Sequence, residues 1–134
     1  MEKETLKRIF EFLEEKGEQR IPFLWKWKNE IPLTEEDLNV QGDLDFSQSE
    51  IESLPEGLKI SGDLDLSYTY IRSLPKGLKV GGHLDLIESD IKFLPKGLEV
   101  GRNLYIDDSP LIKYSDKQLR EMVEPGFING EIFR

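Results

Sequence analysis

Three consecutive blocks of twenty residues fill the middle of the chain: GDLDFSQSEIESLPEGLKIS (42–61), GDLDLSYTYIRSLPKGLKVG (62–81) and GHLDLIESDIKFLPKGLEVG (82–101). A fourth, incomplete copy, RNLYIDDSPLI, begins at Arg102. No insertion or deletion breaks the register, so the interval belongs to the fold and not to composition. A block this short cannot bury its own apolar side chains, and stacking like blocks is how such a sequence acquires a core. Leu38-Asn39-Val40-Gln41-Gly42 matches Leu58-Lys59-Ile60-Ser61-Gly62, which starts the periodic part half a unit before Gly42.

Within a unit the apolar residues fall into two short alternating runs. Leu44 and Phe46, Leu64 and Leu66, Leu84 and Leu86, and Leu104 and Ile106 make one pair of columns; Leu58 and Ile60, Leu78 and Val80, and Leu98 and Val100 make the other. Period-two alternation predicts strands with these residues inward and their neighbours outward. Leu-Pro at 54–55, 74–75 and 94–95 turns the chain between the runs, since proline fixes φ and has no amide to donate. Gly57, Gly77 and Gly97 sit where the second run begins, a place for a backbone angle that other residues resist. Two strands per coil predict two narrow parallel sheets, or one sheet backed by near-extended chain. Helices have no room inside the repeat.

The flanks read as caps. Leu6, Ile9, Phe10 and Leu13 recur at helical spacing, predicting an amphipathic helix over 2–16 that covers the first coil. Trp25 and Trp27 alternate with lysines in the segment 20–33, as in an extended stretch with one buried face. Thr34, with Asp37 three residues on, can start a short helical turn. After the repeats, Ser115 and Gln118 have capping-box spacing for a helix over about 116–123, and Glu124-Pro125-Gly126 stops it. Asn129-Gly130 between apolar pairs predicts a closing hairpin. The same residues also echo Leu58 to Leu66, so a degenerate last coil competes with it. The expected organisation is a cap over 1–37, repeats over 38–112 and a cap over 113–134, all in one folded domain.

A formal charge of −9 and a pI near 4.7 argue against direct contact with nucleic acid or an anionic membrane, both of which reward basic surfaces. No apolar run reaches the length of a membrane span. The N-terminus is charged from its second residue, unlike a secretion signal, and cysteine is absent; together these point to the cytoplasm. Without cysteine there is no disulfide framework, thiol nucleophile or cysteine-ligated zinc. Phosphate loops, dinucleotide fingerprints and H-E-x-x-H are absent too, so no cofactor is expected.

The unit L-x-[LF]-x-x-[ST]-x-I-x-x-L-P-x-G-L-x-[VI], at 44–60, 64–80 and 84–100, resembles the leucine-rich repeat, in particular the short bacterial form with Leu-Pro in each copy. The resemblance covers about 38–112. Two departures stand out: Ser49, Thr69, Ser89 and Ser109 replace the usual asparagine, and Gln41, Ser61, Gly81 and Gly101 replace a further leucine. The hydroxyls are expected to bond neighbouring backbone as an inner ladder. The resemblance implies an α/β, leucine-rich-repeat-like solenoid with short parallel strands, closed by the N-terminal helix and by the C-terminal helix and hairpin. It also implies a phage or bacterial source and a contact surface on the outward strand face.

That face would carry two ladders about 4.8 Å apart from coil to coil: Asp43, Asp63, His83, Asn103, and Asp45, Asp65, Asp85, Tyr105. Like charges at this spacing repel. Their retention is explained either as a solvated face copied by duplication or as a surface for a basic protein. A hard cation is a third reading, although the spacing lacks the glycine-aspartate pattern of calcium-binding coils. The binding residues expected are Asp43, Asp45, Asp63, Asp65, His83, Asp85 and Tyr105, with Tyr105 as the aromatic anchor. His83 is the single histidine, and catalysis would need a nucleophile and an orienting acid converging on it. A non-enzymatic protein–protein interaction module, as in a phage or bacterial inhibitor or effector, is therefore the expected function. An acidic mimic of nucleic acid is the alternative, and a hydrolase built on His83 is a third.

Overall fold

The alternating runs become ten two-residue strands in the computed structural model, which describes residues 32–134. The helix expected over 2–16 and the segment holding Trp25 and Trp27 lie outside the described residues. The chain divides into two compact units, Met1–Asp37 and Leu38–Arg134, and the second contains every repeat.

The strands are β1 (Asn39–Val40), β2 (Leu44–Asp45), β3 (Lys59–Ile60), β4 (Leu64–Asp65), β5 (Lys79–Val80), β6 (Leu84–Asp85), β7 (Glu99–Val100), β8 (Leu104–Tyr105), β9 (Phe127–Ile128) and β10 (Ile132–Phe133). They form two five-stranded sheets, β1-β3-β5-β7-β9 and β10-β8-β6-β4-β2, in which every pairing is parallel. Register is set by the repeat: Leu44 lies opposite Leu64, Leu64 opposite Leu84, and Leu84 opposite Leu104. The protein is a parallel β-solenoid with two sheets per coil.

Inward columns from the two sheets meet in one core. Leu58, Leu64, Leu66, Leu78, Leu84, Leu86, Leu98 and Leu104 are fully buried, as are Ile71, Ile91 and Ile106. Each such side chain contributes on the order of 1.5–3 kcal/mol by leaving water, which is what a lone twenty-residue unit cannot gather. Glycine at 57, 77 and 97 has φ of 83°, 72° and 81°, the left-handed geometry expected from the sequence. Gln48, Tyr68, Glu88 and Asp108 also have positive φ, between 55° and 58°. These four occupy one corner position, repeated in successive coils, which composition did not signal.

Helical structure among the described residues is confined to the flanks of the repeats. Helix α1 (Glu35–Leu38) opens with Thr34 and Asp37 each accepting the other's amide hydrogen, at 3.1 and 2.9 Å. A 3-10 turn (Pro110–Lys113) precedes α2 (Asp116–Val123), whose capping box is complete: the Gln118 amide donates to Ser115 Oγ at 3.1 Å and the Ser115 amide to Gln118 Oε1 at 2.9 Å. Leu119 and Val123 bury the inner side of α2.

The expected hairpin at 127–133 does not form. β9 pairs parallel with β7, and β10 parallel with β8, so the C-terminal residues are a fifth, degenerate coil. Asn129-Gly130 is the corner between two sheets, the place held by Gln41-Gly42 and Ser61-Gly62 earlier. Phe127–Ile128 and Ile132–Phe133 each find a strand waiting one coil back, and those ladders outcompete the local turn.

The hydroxyls of Ser49, Thr69 and Ser109 bond neighbouring backbone, as expected, but within their own coil. Thr69 Oγ1 and Ser109 Oγ donate to carbonyls three residues back, Leu66 and Ile106, both at 2.7 Å. The bonds close corners within one coil and do not link coils. Ser89 Oγ, buried at the equivalent place, has no hydrogen-bond partner.

Candidate functional site

The outward face of the second sheet gathers the residues singled out from the sequence. They divide into two columns with different tasks.

Asp43, Asp63, His83 and Asn103 precede the strands and accept backbone hydrogen bonds from the following coil. Asp43 Oδ1 takes the Asp63 amide at 2.7 Å, and Asp63 Oδ1 takes the His83 amide at 2.7 Å. His83 Nδ1 takes the Asn103 amide at 3.1 Å, and Asn103 Oδ1 takes the Glu131 amide at 2.9 Å. A line of side-chain acceptors thus runs the length of the stack. Accepting at Nδ1 places the hydrogen of the neutral imidazole on Nε2. The line needs space in the next coil, because a Cβ at Gly62 would lie 2.2 Å from Asp43 Oδ1, and one at Gly82 would lie 2.0 Å from Asp63 Oδ1. The coil after His83 carries Arg102 at this position, and glycine returns as Gly130 after Asn103. The alternation of carboxylate and glycine is visible in the sequence, but its meaning is not, because the amides that these side chains accept belong to the next coil.

The second column lies within the strands. β2, β4, β6, β8 and β10 bring Asp45, Asp65, Asp85, Tyr105 and Phe133 into one row, each opposite the next. Each aspartate also closes the turn after its strand. Asp45 Oδ1 accepts from the amide and hydroxyl of Ser47 at 2.8 and 2.6 Å, and Asp65 Oδ1 from those of Ser67 at 2.9 and 2.6 Å. Asp85 has Ile87 in that place and accepts from its amide alone, at 3.0 Å.

The first and third aspartates of the row differ in acidity. The hydroxyl and then the amide of Ser47 hold the exposed Asp45 carboxyl below the ordinary value. Burial pushes Asp85 up, the Ile87 amide partly opposes this, and the negative charges of Asp65 and Asp107 push further upward. One oxygen of Asp107 is buried without a hydrogen-bond partner. Asp85 therefore holds its proton more tightly than Asp45.

Beyond Asp85 the row turns aromatic. Tyr105 stacks on Phe133 with ring centres 5.1 Å apart and planes 14° from parallel, and His83 lies tilted against Tyr105 at 5.8 Å. Phe133 leaves two-fifths of its surface in solvent. Sequence reasoning missed it, since a hairpin would have carried it away from Tyr105.

The first sheet presents a different outward row, Asn39, Lys59, Lys79, Glu99 and Phe127, in which Lys79 and Glu99 pair at 3.5 Å. A shallow groove of about 340 Å³ follows it, with the small residues Ser61, Gly81 and Gly101 in its lining. Among the described residues no group of three or more histidine and acidic side chains is placed to hold a metal ion, and no helix is long and apolar enough to cross a membrane. Compared with protein-family models, with curated proteins and with solved structures, the chain matches none.

Proposed function

We propose that the protein is a non-enzymatic binding module that docks a basic segment of another protein along the outward row of the second sheet. One observation carries this reading: Asp45, Asp65 and Asp85 continue in register into the stacked pair of Tyr105 and exposed Phe133. Four strand intervals of about 4.8 Å give a strip roughly 19 Å long, acidic at one end and aromatic at the other. It suits an extended segment with lysine or arginine followed by an apolar anchor, the combination that gives orientation as well as affinity. The first column fits a supporting role, since Asp43, Asp63 and His83 hold the next coil with one acceptor each. Their remaining polar atoms flank the strip.

The leucine-rich-repeat resemblance belongs to the same proposal, as do a cytoplasmic setting and a phage or bacterial inhibitor as the biological form. Mimicry of nucleic acid draws less support, because the row holds three carboxylates before it turns aromatic.

Asparagine keeps the Oδ1 acceptor that each turn needs, so Asp45→Asn, Asp65→Asn and Asp85→Asn together remove charge and leave the fold. Exposed pairs contribute about 0.2–1 kcal/mol each, so loss of three weakens a basic partner on the order of tenfold. Partners captured from host lysate by the parent and the triple variant, with circular dichroism as the fold control, decide the matter. Equal capture removes this strip as the binding surface; competition of capture by nucleic acid favours mimicry instead.

A further inference from the structure

The far edge of the stack meets an arginine from α2. In the internal coils, two carbonyls at the exit of each first-sheet strand receive amides from the coil that follows. The Val40, Ile60, Val80 and Val100 carbonyls accept from the amides of Ser61, Gly81, Gly101 and Asn129 at 3.0, 2.7, 2.8 and 2.9 Å. Gly42, Gly62, Gly82 and Arg102 carbonyls accept from Gly62, Gly82, Arg102 and Gly130 at 2.9, 2.8, 3.1 and 2.8 Å. In the last coil the corresponding carbonyls belong to Ile128 and Gly130. Both are taken by one side chain: Arg120 donates through one guanidinium nitrogen to Ile128 and through the other to Gly130, the latter at 2.8 Å.

We propose that Arg120 terminates the stack: its guanidinium stands in for two amides of a following coil and keeps the β9 edge from accepting a strand of a second copy of this chain. The occupant excluded is set by the ladder itself. A strand that continues the sheet must bring amides to Ile128 and Gly130 at the spacing found at every internal boundary; the later corners of this chain spend theirs on the coil before, and among the described residues the corner whose amides no preceding coil takes is Gln41-Gly42, where Gly42 donates to the Ser61 hydroxyl instead. The guanidinium meets both carbonyls from one rigid fork with charged donors, which bond more strongly than neutral amides and which a lysine cannot duplicate. Its position is fixed from both sides. Leu119 and Val123 bury the helix that carries it, and Arg134, at the end of β10, donates to the carbonyls of Ile112 and Tyr114 and pairs with Asp116 in the first turn of α2.

The test is sedimentation velocity across a concentration series on the full chain, comparing the parent with Arg120→Ala, Arg120→Lys and Lys117→Ala. Lys117 lies on the same helix, is well exposed and carries the same charge, so it controls for net charge. Arg120→Ala is expected to self-associate at a concentration at least tenfold below any at which the parent does, with Arg120→Lys between them and Lys117→Ala like the parent. A folded Arg120→Ala that sediments as the parent does overturns the proposal, as does Lys117→Ala associating equally. If Arg120→Ala fails to fold, Arg120→Lys is read in its place: association beyond the parent's supports the proposal, and its absence overturns it.

Discussion

Replacing Asp63 by alanine removes one acceptor from the line that joins successive coils, and its cost follows from what is left behind. The His83 amide loses a carboxylate oxygen at 2.7 Å, while the Asp63 amide keeps its own bond to Asp43. A hydrogen bond to a charged acceptor contributes about 1.5–3 kcal/mol. Asp63 and His83 are half-buried, so water replaces part of the bond and the expected loss is about 1–2 kcal/mol. For a unit the size of Leu38–Arg134 this lowers Tm by roughly 5–12 °C. Asp63→Asn keeps an oxygen at the same atom, as Asn103 does toward the Glu131 amide at 2.9 Å. Its expected cost is under about 0.5 kcal/mol, because a neutral acceptor is weaker but repels its neighbours less. Thermal unfolding followed by circular dichroism gives the stabilities, and hydrogen exchange at the His83 amide localises the effect. Should the alanine and asparagine variants melt together, or His83 exchange at the parent's rate in Asp63→Ala, the carboxylate line would not be holding the coils.

Asp85→Asn is expected to stabilise the protein near neutral pH. The Asp85 carboxyl is raised in the folded state, so the native protein binds the proton more tightly than the unfolded chain, and stability falls as pH rises through that window. The gain from the substitution is therefore absent below about pH 4, the ordinary carboxylate value, and complete above the raised one; urea unfolding from pH 3 to pH 8 reads it, and a gain that grows toward acid refutes the sign. Leu86→Ala empties a fully buried position between two coils and is expected to cost about 2–5 kcal/mol, seen as a lower urea midpoint. An unchanged midpoint would mean that the two sheets do not share a packed core.

Much of the architecture was legible because stacking makes one physical rule repeat. Leu64, Leu66, Leu78 and Val80 alternate, and alternation admits one burial pattern for strands, which is the one found. The capping residues Ser115 and Gln118 carried equal information in four positions, since their bonds are local. The C-terminal coil was legible only as the rival of a hairpin, because Asn129-Gly130 satisfies a strong short-range rule, while the strand partner for Phe127 lies nearly thirty residues back at Glu99. The echo of Leu58 to Leu66 revealed the rival, but not that its ladders would win. At the candidate site, the row of Asp45, Asp65, Asp85 and Tyr105 could be placed by counting. The acceptor line through Asp43, Asp63 and His83 could not, because it depends on amides in the next coil that lack a backbone acceptor. The corner at Gln48, Tyr68, Glu88 and Asp108 was silent for a related reason: glutamine, tyrosine and glutamate give no hint of positive φ.

The pairing of the Asp43 and Asp63 carboxylates with the glycine one turn later makes the length of this molecule an adjustable quantity. Excising 62–81 would join Ser61 to Gly82 and set the Asp43 carboxylate beneath a residue with no side chain, with the His83 amide in reach, as Asp63 has it now. Neither sheet would change register, and the aromatic end of the outward strip would be preserved while one carboxylate was lost. Evolution could thus tune how much charge the strip presents by adding or removing whole turns, without redesigning any interface between them.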